Sequence, residues 1–238
     1  MWRAALALTA SVFLAGCGRR LPHIPVITPL VSPLLAPFEA SPPPRLFQES
    51  FTELDAARWR EVEVQGRTTY TVERLDNESC LKAYSHPGAS VLLHLQRFNP
   101  HTYEWLSWRW RVERFVDGED LATKPGSDAS ARVYVYFDTP GLPWQKRNLD
   151  YVWSQTLPVG TVLDSAYSDA SKIIVAESGT AAVGQWRTAS RNIEDDYRRC
   201  FGGNPPKVVA IGLMVDADST RTEALAYFDD VQITQEAP

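Results

Sequence analysis

Short segments in which apolar and polar residues alternate dominate the chain from residue 45 onward. In "WLSWRWRVERF", Trp108 and Trp110 fall on one face and Arg109 and Arg111 on the other. A period of two is typical of a β-strand with one buried face. Similar segments follow one another between turn residues: LFQESF, TTYTVERL, CLKAYS, SVLLHLQRF, ARVYVYFD, LDYVWSQ, KIIVAES and LAYFDDVQIT. The pattern predicts an all-β fold, a two-sheet β-sandwich of the jelly-roll kind.

Two segments depart from this alternation. "KVVAIGLMVD" is apolar on both faces, so we expect it to run through the middle of the fold. In "NIEDDYRRCFGG", Ile193, Tyr197 and Phe201 have helical spacing, with acids in the first turn and arginines in the last. That order matches the helix dipole, and the following glycine suits a helix end. The pattern predicts one short helix near residues 192–201, whose charges form a solvated surface.

The N-terminus indicates export. "MWRAALALTASVFLAGC" has an early Arg3 and an apolar run too short to span a bilayer. It ends in Leu-Ala-Gly-Cys, which resembles a bacterial lipobox. The resemblance implies cleavage after a signal peptide of residues 1–16 and lipidation of Cys17. The residue after the cysteine is Gly18 rather than an aspartate, which resembles lipoproteins destined for the outer membrane. We therefore expect a lipid-anchored envelope protein that faces the periplasm.

The rest of the chain divides into a tether and a domain. Residues 17–44 are rich in proline, which removes helical and strand hydrogen bonds, so they predict an extended tether. Residues 45–236 form the predicted β-sandwich domain. A net charge of −5 and a pI of about 5.4 give no support for nucleic-acid binding. Cys80 and Cys200 could form a disulfide or lie apart as small buried side chains, and both alternatives stay open.

Six segments occur in an order that resembles a bacterial exported domain-of-unknown-function family (domain of unknown function 3047). They are LSWRWRVE, ARVYVYFD, LDYVWSQ, RNIEDDYRRCFG, VAIGLMVDADST and AYFDDVQI, and the resemblance covers about residues 47–234. It implies an envelope location and a jelly-roll-like sandwich, with no established activity. A looser resemblance is to jelly-roll carbohydrate-binding modules, which open on an aromatic strand and close on Y-x-D-D-V. Here those ends would be Phe47, Phe51, Trp59 and "YFDDV".

Outward-facing strand positions supply a candidate ligand-binding face, composed of Arg109, Arg111, Arg132, Tyr134 and Tyr136. Tyrosine rings stack on the apolar face of a sugar, and guanidinium groups bind hydroxyl and carboxylate groups. This set of arginines would favour acidic glycans. Tyr151 and Trp153 would extend the aromatic platform if they face the same side.

Catalysis is the less favoured function, and no catalytic residue is assigned. The chain has no G-x-S-x-G motif, and its histidines have no acid placed to orient them. His94, between Leu93 and Leu95, is expected on the outer face of a strand. The outward tyrosines and arginines could serve a polysaccharide lyase as base and charge neutraliser. The third alternative is a structural or assembly lipoprotein that docks a protein partner.

The acidic segment near the C-terminus predicts one further site. Asp216 and Asp218 are expected to form a turn. Strand alternation places Asp229 on the same side as Val231 and Ile233 unless a bulge intervenes. A carboxylate that faces a core needs an arginine, backbone amides or a cation. The carbohydrate-binding resemblance implies a structural Ca²⁺ at Asp229 with Glu49 as partner ligand, and the alternative is a salt bridge or backbone hydrogen bonds.

Overall fold

The computed structural model describes residues 44–142 and 145–238. The predicted signal peptide, the predicted lipidation site at Cys17 and the predicted tether as far as residue 43 lie outside the described residues. Within the described part, no helix is long and apolar enough to cross a membrane.

The described chain forms thirteen strands and one α-helix, with a short 3₁₀ turn at Lys124–Gly126. The strands are β1 (Arg45–Glu49), β2 (Trp59–Gln65), β3 (Thr68–Leu75), β4 (Glu78–Ser85), β5 (Ala89–Phe98), β6 (Trp105–Arg114), β7 (Arg132–Phe137), β8 (Asn148–Ser154), β9 (Val162–Ser165), β10 (Ser168–Ser178), β11 (Arg187–Asn192), β12 (Val208–Met214) and β13 (Ala224–Thr234). The helix, α1, spans Ile193–Phe201.

The strands form two sheets. The six-stranded sheet has the order β11-β6-β13-β4-β3, with β1 also paired to β13. The seven-stranded sheet has the order β2-β5-β12-β7-β8-β10-β9. The chain crosses repeatedly from one sheet to the other, as in a jelly roll, and all pairs are antiparallel except β8 with β10. The predicted jelly-roll-like β-sandwich with one short helix is confirmed.

The core between the sheets is aromatic. Trp108 lies 5.3 Å from Trp110 and 5.4 Å from Tyr151, and Trp110 lies 5.8 Å from Trp153, measured between ring centroids. All four side chains are fully buried. Tyr151 and Trp153 therefore cannot belong to an outer platform. The reason is register, because Tyr151 pairs with Val133, whose side chain also enters the core.

His94 also faces the core, contrary to the sequence-based expectation. It is 7% exposed and stacks on Phe47 with ring centroids 4.3 Å apart, while Leu95 is 64% exposed. Both faces of β5 carry apolar residues, so alternation alone could not decide which face is buried. By contrast, β12 lies between β5 and β7 with Ile211 and Leu213 fully buried, and its predicted central position is confirmed.

Helix α1 begins and ends as predicted. The Asn192 side chain accepts a hydrogen bond from the backbone amide of Asp195 at 2.9 Å, and Gly202 follows with φ 72°. The charges of its first turn are not all solvated, however. Asp196 is buried, where it accepts a hydrogen bond from the Tyr151 hydroxyl at 2.9 Å and pairs with Arg191. The helix is thereby tied to the aromatic core.

The two cysteines of the domain do not form a disulfide. Cys80 lies on β4 and Cys200 on α1, and both thiols are free. Burial raises the pKa of each thiol to about 11, so both are protonated at neutral pH. The sequence left open a disulfide or two separate cysteines, and in the structure the two cysteines are separate.

We predict that Trp110→Ala lowers the free energy of unfolding by about 3–5 kcal/mol, because it leaves a cavity in the core between the two sheets. Trp186→Ala is the matched control, since this half-buried ring contacts the Arg109 guanidinium at 5.0 Å outside the core. The control should cost about 1 kcal/mol. Urea unfolding followed by circular dichroism measures the free energy of unfolding of both variants, and equal losses would contradict the burial of Trp110 in the core.

Candidate functional site

The side chains of β7 alternate between the core and a cleft on the outer face of the sheet. Val133 and Val135 are fully buried in the core, whereas Arg132, Tyr134 and Tyr136 lie on the outer face of the seven-stranded sheet. On this face they line an open cleft of about 340 Å³. The predicted outward set on β7 is therefore found together in one cleft.

Gly212 of β12 lies in the floor of the cleft, where it pairs with Tyr134 on one side and Leu93 on the other. A Cβ atom at this position would lie 2.8 Å from Val91 Cγ1 and 3.0 Å from Leu93 Cδ2, so the side chains of β5 require a glycine here. The rings of Tyr134 and Tyr136 stack beside β12 with centroids 5.5 Å apart and an interplanar angle of 24°.

The walls of the cleft are rich in small polar groups. They come from the segment before β7, from β8, from β9 and β10, and from the segment after β12: Ser127, Asn148, Ser165, Ser168, Ser171 and Ser219. Tyr167 stands at the rim with 62% of its surface exposed. Its hydroxyl lies 3.1 Å from that of Ser219, so the turn between β9 and β10 meets the segment after β12 there. Such walls offer many donors and acceptors around an aromatic floor.

Arg132 joins the parts of the cleft from beneath and is only 4% exposed. Its Nε donates to Asp216 Oδ1 at 2.9 Å, its Nη1 donates to Asp150 Oδ2, and its Nη2 donates to the Ser127 carbonyl. All three nitrogens of the guanidinium are thus occupied by the protein. Arg132 lines the cleft, but its role in this geometry is to fix two carboxylates in place.

Asp216 is a buried member of this network just after β12, which corrects the expectation that it forms a turn, whereas Asp218 does lie in a turn. Its Oδ1 also accepts the backbone amide of Ala129 at 2.9 Å. One carboxylate oxygen from each of Asp128, Asp216 and Asp218 lies within 4.8 Å of the others. Burial, together with Asp128 and Asp216, raises the pKa of Asp218 to about 6.

Asp150 is a buried cleft residue that the sequence pattern did not single out. It is 2% exposed, and its Oδ1 has no hydrogen-bond partner among the described residues. Burial raises its pKa to about 6, although the adjacent Arg132 acts in the opposite direction. Alternation in "LDYVWSQ" carried the signal, since Leu149 and Tyr151 face the core and Asp150 lies between them.

Arg109 and Arg111 do not join this cleft. Both lie on β6 of the six-stranded sheet, whose outer face points away from the seven-stranded sheet. Arg109 pairs with Glu78 at 2.7 Å, and Arg111 pairs with Asp76 at 3.0 Å. The predicted five-residue face is therefore split, because β6 and β7 follow each other in sequence but belong to different sheets.

A bulge decides the position of Asp229. Asp229 pairs with Arg109, but the next pair is Gln232 with Ser107, so β13 carries one extra residue at this point. Asp230 takes φ 47° there. Asp229 thus lies on the Arg109 face while Val231 returns to the core.

The carboxylates predicted to hold calcium already have partners. Asp229 Oδ2 accepts from Arg109 at 2.7 Å and its Oδ1 from the Asp230 amide at 2.8 Å. Glu49 accepts from the Phe51 amide and the Trp59 indole, each at 3.1 Å, and pairs with Arg58. A cation would compete with both arginines, so these residues do not fit Ca²⁺. The geometry matches the alternative of salt bridges and backbone hydrogen bonds.

The fold and the cleft define a class, a β-sandwich with an open polar and aromatic cleft on the outer face of one sheet. The family model described as "Protein of unknown function (DUF3047)" matches residues 57–232, and the chain belongs to this family. The family resemblance drawn from the sequence is confirmed. Among curated proteins, none matches the chain.

Several solved structures resemble the chain at low similarity. The family 30 carbohydrate-binding module of a cellulosomal cellulase from Clostridium thermocellum has 11% identity and a TM-score of 0.46, with 80% of this chain and 99% of that chain covered. TmCBM61, solved with β-1,4-galactotriose, has 10% identity and a TM-score of 0.38, with 79% and 95% covered. Likeness at this level is too low to assign a ligand.

The raised pKa of Asp150 predicts a pH-dependent contribution to stability. A carboxyl group with a higher pKa in the folded state binds protons more tightly there, so it stabilises the fold less as pH rises. We expect the unfolding free energy of the unaltered protein, relative to Asp150→Asn, to fall between about pH 4, its ordinary pKa, and about pH 6. Denaturant unfolding across this range measures it, and a flat or rising difference would contradict it.

Proposed function

We propose that the domain binds a glycan chain in the cleft on the seven-stranded sheet. The observation that carries this proposal is the stacked pair of Tyr134 and Tyr136 beside Gly212, in a cleft that is open to solvent. Sugar rings have an apolar face and a rim of hydroxyl groups. The tyrosine rings suit that face, and the serine and asparagine side chains of the walls suit the hydroxyl groups.

The cleft is ordered before a ligand arrives. Arg132 holds Asp150, Asp216 and the Ser127 carbonyl by hydrogen bonds from three of its nitrogens. The tyrosine rings are half-buried and stack on each other, so their positions are restricted by packing. A ligand then orders few side chains on binding, which lowers the entropic cost of association. This order supports recognition of a defined ligand.

The charge state of the cleft favours binding over the lyase alternative. A lyase of the type considered from the sequence needs a tyrosine that ionises readily and a cation that neutralises the substrate. Burial raises the pKa of both Tyr134 and Tyr136. The guanidinium of Arg132 is already engaged by two carboxylates. Binding without turnover is therefore the function that we propose.

For the whole protein, we propose display at the cell envelope. A lipid on Cys17 would anchor it to the outer membrane on the periplasmic side, and the proline-rich residues up to 44 would act as a spacer. In an extended polyproline conformation this spacer would reach about 80 Å. That distance would let the cleft meet glycans away from the membrane surface.

The ligand proposal predicts that the lipidated protein in detergent retains specific oligosaccharides on a glycan array. Tyr134→Ala should weaken that binding about tenfold, because it removes one of the two stacking rings. Tyr84→Ala on the six-stranded sheet is the matched control and should bind normally.

Three outcomes would contradict the ligand proposal. One is an array without specific binding, and another is an equal loss in the two tyrosine variants. The third is release of cleavage products, which a mass spectrum of the bound oligosaccharide would detect and which would favour a lyase. A co-purifying envelope protein on an otherwise silent array would favour the assembly alternative.

The anchor proposal makes a separate prediction. Cys17→Ser should abolish incorporation of labelled palmitate and move the protein out of the outer-membrane fraction. Cys200→Ser leaves the predicted anchor intact and should fractionate like the unaltered protein. Retention of Cys17→Ser in the outer membrane with normal labelling would refute the anchor.

A further inference from the structure

The charge balance of the cleft is negative. Its charged lining consists of Arg132, Asp150, Asp216 and Asp218. Asp128 lies directly beside Asp216, with carboxylate oxygens inside the same 4.8 Å cluster. One guanidinium group therefore faces four carboxylates. Lys124 stays outside the lining, where its ammonium lies over the Tyr167 ring 5.5 Å from the centroid.

The carboxylates retain capacity to accept hydrogen bonds. Arg132 binds Asp150 through Oδ2 and Asp216 through Oδ1. Asp150 lines the cleft, and its buried Oδ1 has no hydrogen-bond partner in the part of the chain that the structure describes. Within residues 44–142 and 145–238, Asp218 accepts no side-chain hydrogen bond from another residue. An unpaired acceptor in a buried position is costly, and a donor that carries positive charge relieves this cost best.

The cleft is less suited to a negatively charged ligand. The guanidinium in the lining, that of Arg132, is 4% exposed, and each of its three nitrogens already donates a hydrogen bond to the protein, so it is poorly placed to bind a carboxylate or sulfate group. Arg109 and Arg111, which would have favoured acidic glycans, lie on the other sheet. The tyrosine rings add to the preference, because the face of an aromatic ring attracts a cation.

We propose that the cleft selects glycans with free amino groups, meaning hexosamine units whose nitrogen is not acetylated. The sugar ring stacks on Tyr134 and Tyr136, and its ammonium group pairs with the carboxylates of the wall. This inference rests on the proposed glycan binding and reverses the preference for acidic glycans expected from the sequence. The feature that distinguishes the ligand is a positive charge on an otherwise polar sugar.

Calorimetric titration of the lipidated protein in detergent tests this selectivity. The four probes have equal length: a glucosamine oligomer, its N-acetylated counterpart, a neutral glucose oligomer and a uronate oligomer. We expect the glucosamine oligomer to bind about tenfold more tightly than the acetylated one. This advantage should shrink as salt rises, because screening weakens the charge interaction, whereas stacking persists.

Two variants separate the cleft charge from the overall charge. Asp218→Asn should reduce the preference for the amine about tenfold without changing the affinity for the acetylated oligomer. Asp117→Asn removes the same charge from an exposed position outside the cleft and should leave the preference intact. The salt dependence in the unaltered protein gives a second measurement that needs no variant.

The failures of the two proposals are distinguishable. If neutral or acetylated oligomers bind as tightly as the amine, and Tyr134→Ala still weakens them, amine selectivity is wrong while glycan binding stands. Tightest binding of the uronate oligomer also overturns the selectivity. If none of the four oligomers binds, the amine proposal falls together with the glycan proposal for these sugars.

Discussion

The buried guanidinium of Arg132 is the interaction on which the cleft depends. It joins β7, β8 and the segments next to Asp216 and Ser127 through charge-assisted hydrogen bonds. A buried ion pair offsets its desolvation only when its geometry is good and its other hydrogen bonds are made. Arg132 meets that condition and Asp150 does not fully, since its Oδ1 has no hydrogen-bond partner among the described residues. The network therefore combines a rigid frame with one buried acceptor that this frame leaves unpaired.

The aromatic core and the cleft are two consequences of the same alternation. On β7 and β8, the core residues Val133, Val135 and Leu149 are followed by residues that line the cleft, namely Tyr134, Tyr136 and Asp150. Val133 pairs with Tyr151 inside, and Tyr134 pairs with Asp150 outside. Packing of the inner tryptophans therefore fixes the height and spacing of the outer groups. Gly212 lets β12 pass close to the side chains of Val91 and Leu93 next to the tyrosine rings.

Local patterns predicted the strands, the helix Ile193–Phe201 and the orientation of Tyr134 and Tyr136, because each depends on neighbours a few residues away. Prediction failed where several pairings compete. His94 lies in a strand that is apolar on both faces, and the partner strands decide which face is buried. Asp229 changes face through a one-residue bulge. Alternation carries no mark of such an insertion, since a single extra residue reverses every later side chain.

The sequence by itself determined the β-sandwich class, the family and the outward tyrosines, since these follow from periodicity and from the order of motifs. It also predicts a signal peptide and a lipid anchor. Only the tertiary structure decided which charges meet. Arg109 and Arg132 both occupy predicted outward positions of alternating strands. In the structure, Arg109 pairs with acids on the six-stranded sheet, whereas Arg132 lies beneath the cleft. Charge pairing depends on how strands divide between the two sheets, and that division is set by contacts between residues far apart in the chain.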